Sequence, residues 1–165
     1  MDEISGDIMH ANQSLTRRAL FGGLRGNAIT VDVGLLILRV VAGLALCTVF
    51  EKVLPREGRW GPQEWFISDV AKMGFPLPIV FAWAAVLSEF VGGIMMMLGV
   101  LTRPAAFMNA GTTFVAAFLY HHGDISKSGL MAFIFFAITL SLTIAGPGRF
   151  SADALLSRRF GAKEA

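Results

Sequence analysis

The chain has 165 residues, 55% of them apolar and only 16% charged, with a mean hydropathy of +0.63. Soluble domains carry about 25% charged residues, so this composition excludes an ordinary soluble domain and points to a single integral membrane domain. The net charge of +2 and pI near 9.0 come from basic residues spread along loop ends, which argues against nucleic acid as a partner, and the single cysteine, Cys47, excludes an intrachain disulfide or a cysteine-cluster redox motif.

Residues 1–30 read as a polar tail. Its Thr16-Arg17-Arg18-Ala19-Leu20-Phe21 run weakly resembles a twin-arginine export signal, but no small-residue cleavage site follows an apolar region of signal length. Hydropathy then predicts a first span from about Val33 to Leu54, interrupted by Arg39. In the connection from Pro55 to Pro76, read as a helix from Pro62, the residues Phe66, Val70 and Met73 share one face. With Trp60 and Trp65 it reads as an interfacial anchor in the headgroup zone, the alternative being a lid over a ligand cavity.

The second span, Leu77 to Leu101, covers about 25 residues, longer than the roughly 30 Å hydrocarbon core at about 1.5 Å per residue. It carries Glu89 near its middle. Ser88-x-x-x-Gly92 is a small-x-x-x-small packing pattern, and Met95, Met96 and Met97 read as flexible apolar filling because consecutive helical residues point in different directions. A third, short span runs from Pro104 to Tyr120 and a fourth from Gly129 to Ala145. The expected fold is all-α: an integral membrane four-helix transmembrane bundle over residues 31–148, with the interfacial amphipathic segment between helices 1 and 2 and a basic tail over 149–165.

Four spans put both termini on one side. Arg17, Arg18, Arg25, Arg103, Arg149, Arg158, Arg159 and Lys163 lie on that side, against Lys52, Arg56, Arg59, Lys72 and Lys127 diluted by acidic residues on the other. Cytoplasmic loops carry the excess of Lys and Arg, so the sequence predicts a multi-pass protein of the inner (plasma) membrane with both termini cytoplasmic.

An ionised group at the bilayer centre costs roughly 2.5–3.5 kcal/mol, so Glu89 needs a partner or a task. Counted along helices, Arg39 lies roughly 12 Å and Glu89 roughly 18 Å from the cytoplasmic face, and the expectation is that they pair. Asn109, Ser141 and Thr143 sit just below them. This set reads either as an internal polar network that fixes helix register, or as a site for a polar head group such as a quinone ring, or a proton relay. At the outer end of the third span, Tyr120-His121-His122-x-Asp124 reads as a solvated helix end; a metal, a haem iron or proton transfer to a quinol is the alternative.

Several motifs in order carry a resemblance: Leu38-Arg39-x-x-x-Gly43, Gly74-Phe75-Pro76-x-Pro78, Ser88-Glu89-Phe90-x-Gly92-Gly93, Leu98-Gly99-x-x-Thr102-Arg103 and Gly146-Pro147-Gly148-x-x-Ser151-x-Asp153. Over about Gly34 to Leu156 the chain resembles the DoxX family of small four-helix membrane proteins. Many members carry a His-Gly pair before the lysine at the end of the first helix, where this chain has Thr48-Val49-Phe50-Glu51-Lys52. The resemblance implies a membrane subunit of a quinone-linked oxidoreductase complex, not catalytic alone, working with a soluble or membrane redox partner. Arg39 and Glu89 would then be the catalytic residues, and Arg39, Glu89, Asn109, His121 and His122 would bind quinone. The other reading is a non-catalytic scaffold or small-molecule channel subunit with a structural Arg39–Glu89 pair. Glycine-lined helix faces are compatible with a homo-oligomer, and no metal is expected.

Overall fold

The computed structural model describes residues 28–48, 52 and 61–161, and every regular element among them is helical. The twin-arginine-like run and the first residues of the connection after the first helix lie outside the described residues. The elements are α1 (Ala28–Cys47), α2 (Glu64–Lys72), α3 (Pro78–Leu98), α4 (Thr102–Phe114) continuing as a π-helical segment (Val115–Tyr120), α5 (Leu130–Ala145) and α6 (Ala152–Gly161). Helices α1, α3, α4 and α5 form the body, with α1 against α3, α3 against α4, α4 against α5 and α5 touching α1; α2 lies on α3.

Two helices, α1 and α3, are long and apolar enough to cross a membrane; α5 is equally apolar but has 16 residues. The first helix starts earlier and stops sooner than its hydropathy suggests. It gives out at Cys47, and the short amphipathic α2 takes over alongside α3. The expected face of α2 is the one used: Val70 is buried, Phe66 and Met73 are half-buried, and Trp65 is exposed.

Local chemistry sets the boundaries. Pro78 occupies the first turn of α3, where its missing N–H costs nothing. Gly99, at φ 71°, ends the same helix in the left-handed conformation that glycine adopts without steric penalty, and Val100 N–H donates to Met95 O at 2.9 Å.

The packing inverts that of a soluble protein. Buried positions are mostly small or polar: Ala42, Ala82, Ala105, Ala106, Ser88, Thr102, Asn109, Thr113 and Thr139. Large apolar side chains on all four body helices point outward, among them Val41, Leu87, Phe107 (67% exposed) and Ile144 (72%). Small residues inside let backbones approach closely, and an apolar exterior needs an apolar surrounding.

A close backbone approach joins α1 to α3. A Cβ on Gly43 would stand 2.5 Å from Gly93 O, and a Cβ on Gly93 would stand 2.9 Å from Gly43 O. Met97 covers Gly43 from one side and Cys47 faces Gly93 from the other, while Met96 is wholly buried in the core. The adjacent Gly92 faces the opposite way, against the Asn109 side chain of α4. Consecutive glycines therefore serve two different neighbours.

Replacing Gly93 by Ala is expected to push α1 from α3 and cost about 1–3 kcal/mol, as overpacking does. Gly34 has open space around it, so Gly34→Ala is expected to stabilise α1 by about 0.5–1 kcal/mol. Reversible unfolding in mixed detergent micelles measures both; the same effect from the two substitutions would refute the close contact.

Candidate functional site

The Arg39–Glu89 pair expected from the sequence does not form. With Gly43 opposite Gly93 in antiparallel helices, Arg39 lies at the level of Met97 and Gly99, whereas Glu89 lies near Cys47, about 12 Å further along the axis. Side chains on a helix lean toward its N-terminus, so in this antiparallel pair Arg39 and Glu89 lean apart, toward opposite ends of the bundle.

At one end, Arg39 is completely buried and reaches the turn after α5. Its guanidinium donates to Pro147 O through Nη1 and to Phe150 O through Nη2 at 2.6 Å. Gly99 is forced to be glycine here, since a Cβ would stand 2.7 Å from Arg39 Nη1 and 2.5 Å from Ser151 Cβ. Asp153, in the first turn of α6, accepts from Leu101 N (2.8 Å), Thr102 N (2.9 Å) and Thr102 Oγ1 (3.0 Å), while its own N–H donates to Gly99 O at 2.8 Å. Leu101, the residue before α4, has no capping side chain of its own, so Asp153 caps α4 from 51 residues away. Asp32 likewise accepts from Arg149 N at 2.9 Å. This end is a structural knot. Its sequence signals were present in the motifs around Thr102 and Asp153, but nothing in their spacing joins one to the other.

At the other end, Glu89 meets Lys52. Lys52 Nζ donates to Glu89 Oε2 at 2.9 Å and lies 5.0 Å above the Phe66 ring of α2. The carboxylate side chain is 7% exposed and the lysine side chain 29%, so the pair is sheltered yet reachable from one side. Lys52 O also accepts from Gln63 N at 3.0 Å, which ties the approach to α2 to the same residue. Beside it, Cys47 Sγ donates to Phe90 O at 3.6 Å, and Ser88 Oγ shares a 2.6 Å hydrogen bond with Thr112 Oγ1, linking α3 to α4. Lys52 was the partner that sequence reasoning missed, because it read as one of the loop cations of the first connection.

Asn109 is fully buried, but its Nδ2 donates to Ala105 O of its own helix at 3.0 Å, and its Oδ1 has no partner. Ser141 and Thr143 bond back to Ala137 O and Thr139 O. These groups do not join Arg39 or Glu89 in the network expected of them.

The histidines stand elsewhere. His122 is exposed at φ 51°, and His121 packs edge-on against Tyr120 with ring centroids 4.8 Å apart. Asp124 turns instead to Ser126, whose hydroxyl donates at 2.7 Å and holds the Asp124 carboxyl below its ordinary range. Among the described residues no three His, Cys, Asp or Glu side chains gather as a metal set. Tyr120 OH donates to Asp69 Oδ2 at 3.2 Å, fastening α2 to the π segment. The hydrogen bond from Lys72 holds the Asp69 carboxyl below its usual range, and the Tyr120 hydroxyl pushes the same way.

Two outcomes test these assignments. Burial acts to raise Asp153, but the N–H groups of Thr102 and Leu101, the Thr102 hydroxyl and the Arg39 charge outweigh it and hold the carboxyl below its ordinary value. A depressed folded value means that its stabilisation is present above about pH 3.9 and is lost as pH falls through the folded value. Asp153→Asn is expected to cost about 0.5–2 kcal/mol near neutrality and to flatten the acid limb of the unfolding curve; an unchanged acid limb would contradict the cap. For the other end, Lys52→Met strands the sheltered carboxylate and is expected to cost about 3 kcal/mol. Glu89→Gln is expected to cost less, because the lysine can swing its ammonium outward.

No solved structure matches the chain. The pattern of the DoxX family matches residues 34–122. The chain is also similar to the inner membrane protein YqjF of Escherichia coli (strain K12), at 33% identity over 136 residues that cover 78% of this chain and 96% of the relative. With the four-helix arrangement, the Gly43–Gly93 contact and the two polar ends in place, the chain belongs to the DoxX family.

Proposed function

We propose that this protein is a four-span inner-membrane subunit that presents a polar site for a quinone at Glu89 and Lys52 to a redox partner. Four observations support the membrane placement: the two helices of spanning length, the apolar exterior, the family membership and the name of the similar E. coli protein. In this reading α1, α3, α4 with its π segment, and α5 cross the bilayer. The excess of Lys and Arg at the end bearing Arg103, Arg149, Arg158 and Arg159 makes that end cytoplasmic. Helix α2 then lies along the outer surface, with Trp65 facing the headgroups.

The observation that carries the function is the ion pair itself: a nearly buried carboxylate and a partly exposed ammonium, roofed by an aromatic ring, beside an apolar exterior. Arg39 does not fit a quinone role, because two carbonyls and the Asp153 charge already engage it, and Asn109 is sealed behind Gly92. Glu89 and Lys52 do fit. Lys52 can donate a hydrogen bond to a carbonyl oxygen, and Glu89 can hold a proton beside that oxygen and hand it on. A quinone supplies two-electron, two-proton redox chemistry when bound. The electrons come from the partner, since no electron carrier is legible in this chain.

The second reading, a scaffold with no ligand, is favoured by one observation: both terminal nitrogens of Arg39 and both carboxylate oxygens of Asp153 are spent on the protein's own turns and helix cap. The experiment that separates the two purifies the protein in mild detergent and identifies bound quinone and accompanying proteins by mass spectrometry. It then repeats the measurement on Lys52→Gln combined with Glu89→Gln, which leaves no stranded charge. The expected result is a folded double variant that loses quinone at least tenfold. Equal quinone retention would rule out Glu89 and Lys52 as the quinone site, and no quinone with either protein would leave the scaffold reading standing.

A further inference from the structure

A cleft of about 540 Å³ opens at the end of the bundle opposite the Glu89–Lys52 pair, between the start of α1, the end of α3 and helix α6. Its walls are Ile29, Leu98, Phe150 and Leu155, all substantially exposed apolar side chains, and its cationic groups are Arg149 and Arg158. The volume falls within the roughly 300–1,000 Å³ range of small-molecule sites.

The chemistry of the cleft is graded along α6. Leu155 and Arg158 are one turn apart on the face that lines it, so an apolar wall passes into a guanidinium in one helical step. Arg149 is held at the rim by Asp32: its N–H donates to Asp32 Oδ1 at 2.9 Å and its Nε lies 3.8 Å from Asp32 Oδ2. Its side chain nevertheless remains 61% exposed. Asp32 offsets one of the two positive charges, which leaves that of Arg158. The cleft therefore keeps a net positive charge against apolar walls at a helix end.

We propose that this cleft binds an anionic glycerophospholipid, with Arg149 and Arg158 on the phosphodiester and acyl chains along Ile29, Leu98 and Leu155. Guanidinium groups match phosphate oxygens in two-point hydrogen bonding, and basic pockets between helices on the cytoplasmic side suit anionic lipid heads. A free phosphate would satisfy the arginines but leave the apolar walls unused. The proposal rests on the membrane placement and is independent of the quinone reading, because its site lies at the other end of the molecule.

The test uses the delipidated full-length protein in a neutral detergent. Dioleoyl phosphatidylglycerol, dioleoyl phosphatidylcholine and inorganic phosphate are added separately, with native mass spectrometry for stoichiometry and thermal unfolding for stabilisation. One phosphatidylglycerol per chain is expected, bound at least tenfold more tightly than phosphatidylcholine and not displaced by millimolar phosphate. Arg149→Gln combined with Arg158→Gln should abolish that preference without unfolding, since the Arg149 N–H bond to Asp32 survives. Leu155→Ser should weaken phosphatidylglycerol without altering the response to phosphate. Unchanged lipid preference in the double variant would overturn the proposal, as would phosphate competing on equal terms, which would make the cleft a simple anion site.

Discussion

Where Gly43 and Gly93 touch, α1 and α3 lie backbone to backbone, and that contact sets the axial register of the two longest helices. Everything polar in the bundle is distributed by it. A slip of one turn, about 5.4 Å, would draw Arg39 away from Pro147 and Phe150 and carry Glu89 past the reach of Lys52. Lipid offers apolar side chains no hydrophobic gain from leaving it, so close packing of small residues has to supply the association that burial of large ones supplies in water. The glycines and alanines of the interior are the consequence.

The register also divides labour between the ends. At the α6 end each buried polar group meets backbone: Arg39 takes carbonyls, Asp153 takes N–H groups, and Asp32 takes the Arg149 N–H. Such bonds close turns and cap helices. At the α2 end the partners are side chains, Lys52 with Glu89, Ser88 with Thr112, Tyr120 with Asp69, and the pair at the centre is partly open. Bonds to backbone gather at one end and side-chain pairs at the other.

Much of this was legible in the sequence, and the illegible part has physical causes. The apolar runs located the helices, the alternation around Phe66 and Val70 located α2 and its buried face, and the glycine pattern announced close packing. Arg39 and Glu89 were rightly singled out as buried charges, but they were paired by depth from the helix ends. Depth counts ignore both the interhelical register and the lean of each side chain toward its own N-terminus. The cap on α4 joins residues 51 positions apart, which no local pattern encodes. Lys52 was hidden for a different reason: it stands 37 residues from Glu89 and reads as one of several loop cations rather than as the partner of a buried carboxylate.

The π-helical segment at the end of α4 stores one residue more than an α-helix of the same length would hold. His121 N–H reaches back five residues to Ala116 O, and Tyr120 is thereby rotated by about 100° relative to an uninterrupted helix, onto Asp69. The hydrogen bond that fastens α2 to α4, beside the packing of α2 on α3, thus depends on a single inserted residue. Removal of one residue between Val115 and Leu119 would let the helix close into regular turns while α4 and its contacts below Phe114 stayed as they are. The fastening of α2 to the end of α4 can therefore be made or lost by the smallest change in chain length, independently of the bundle beneath it.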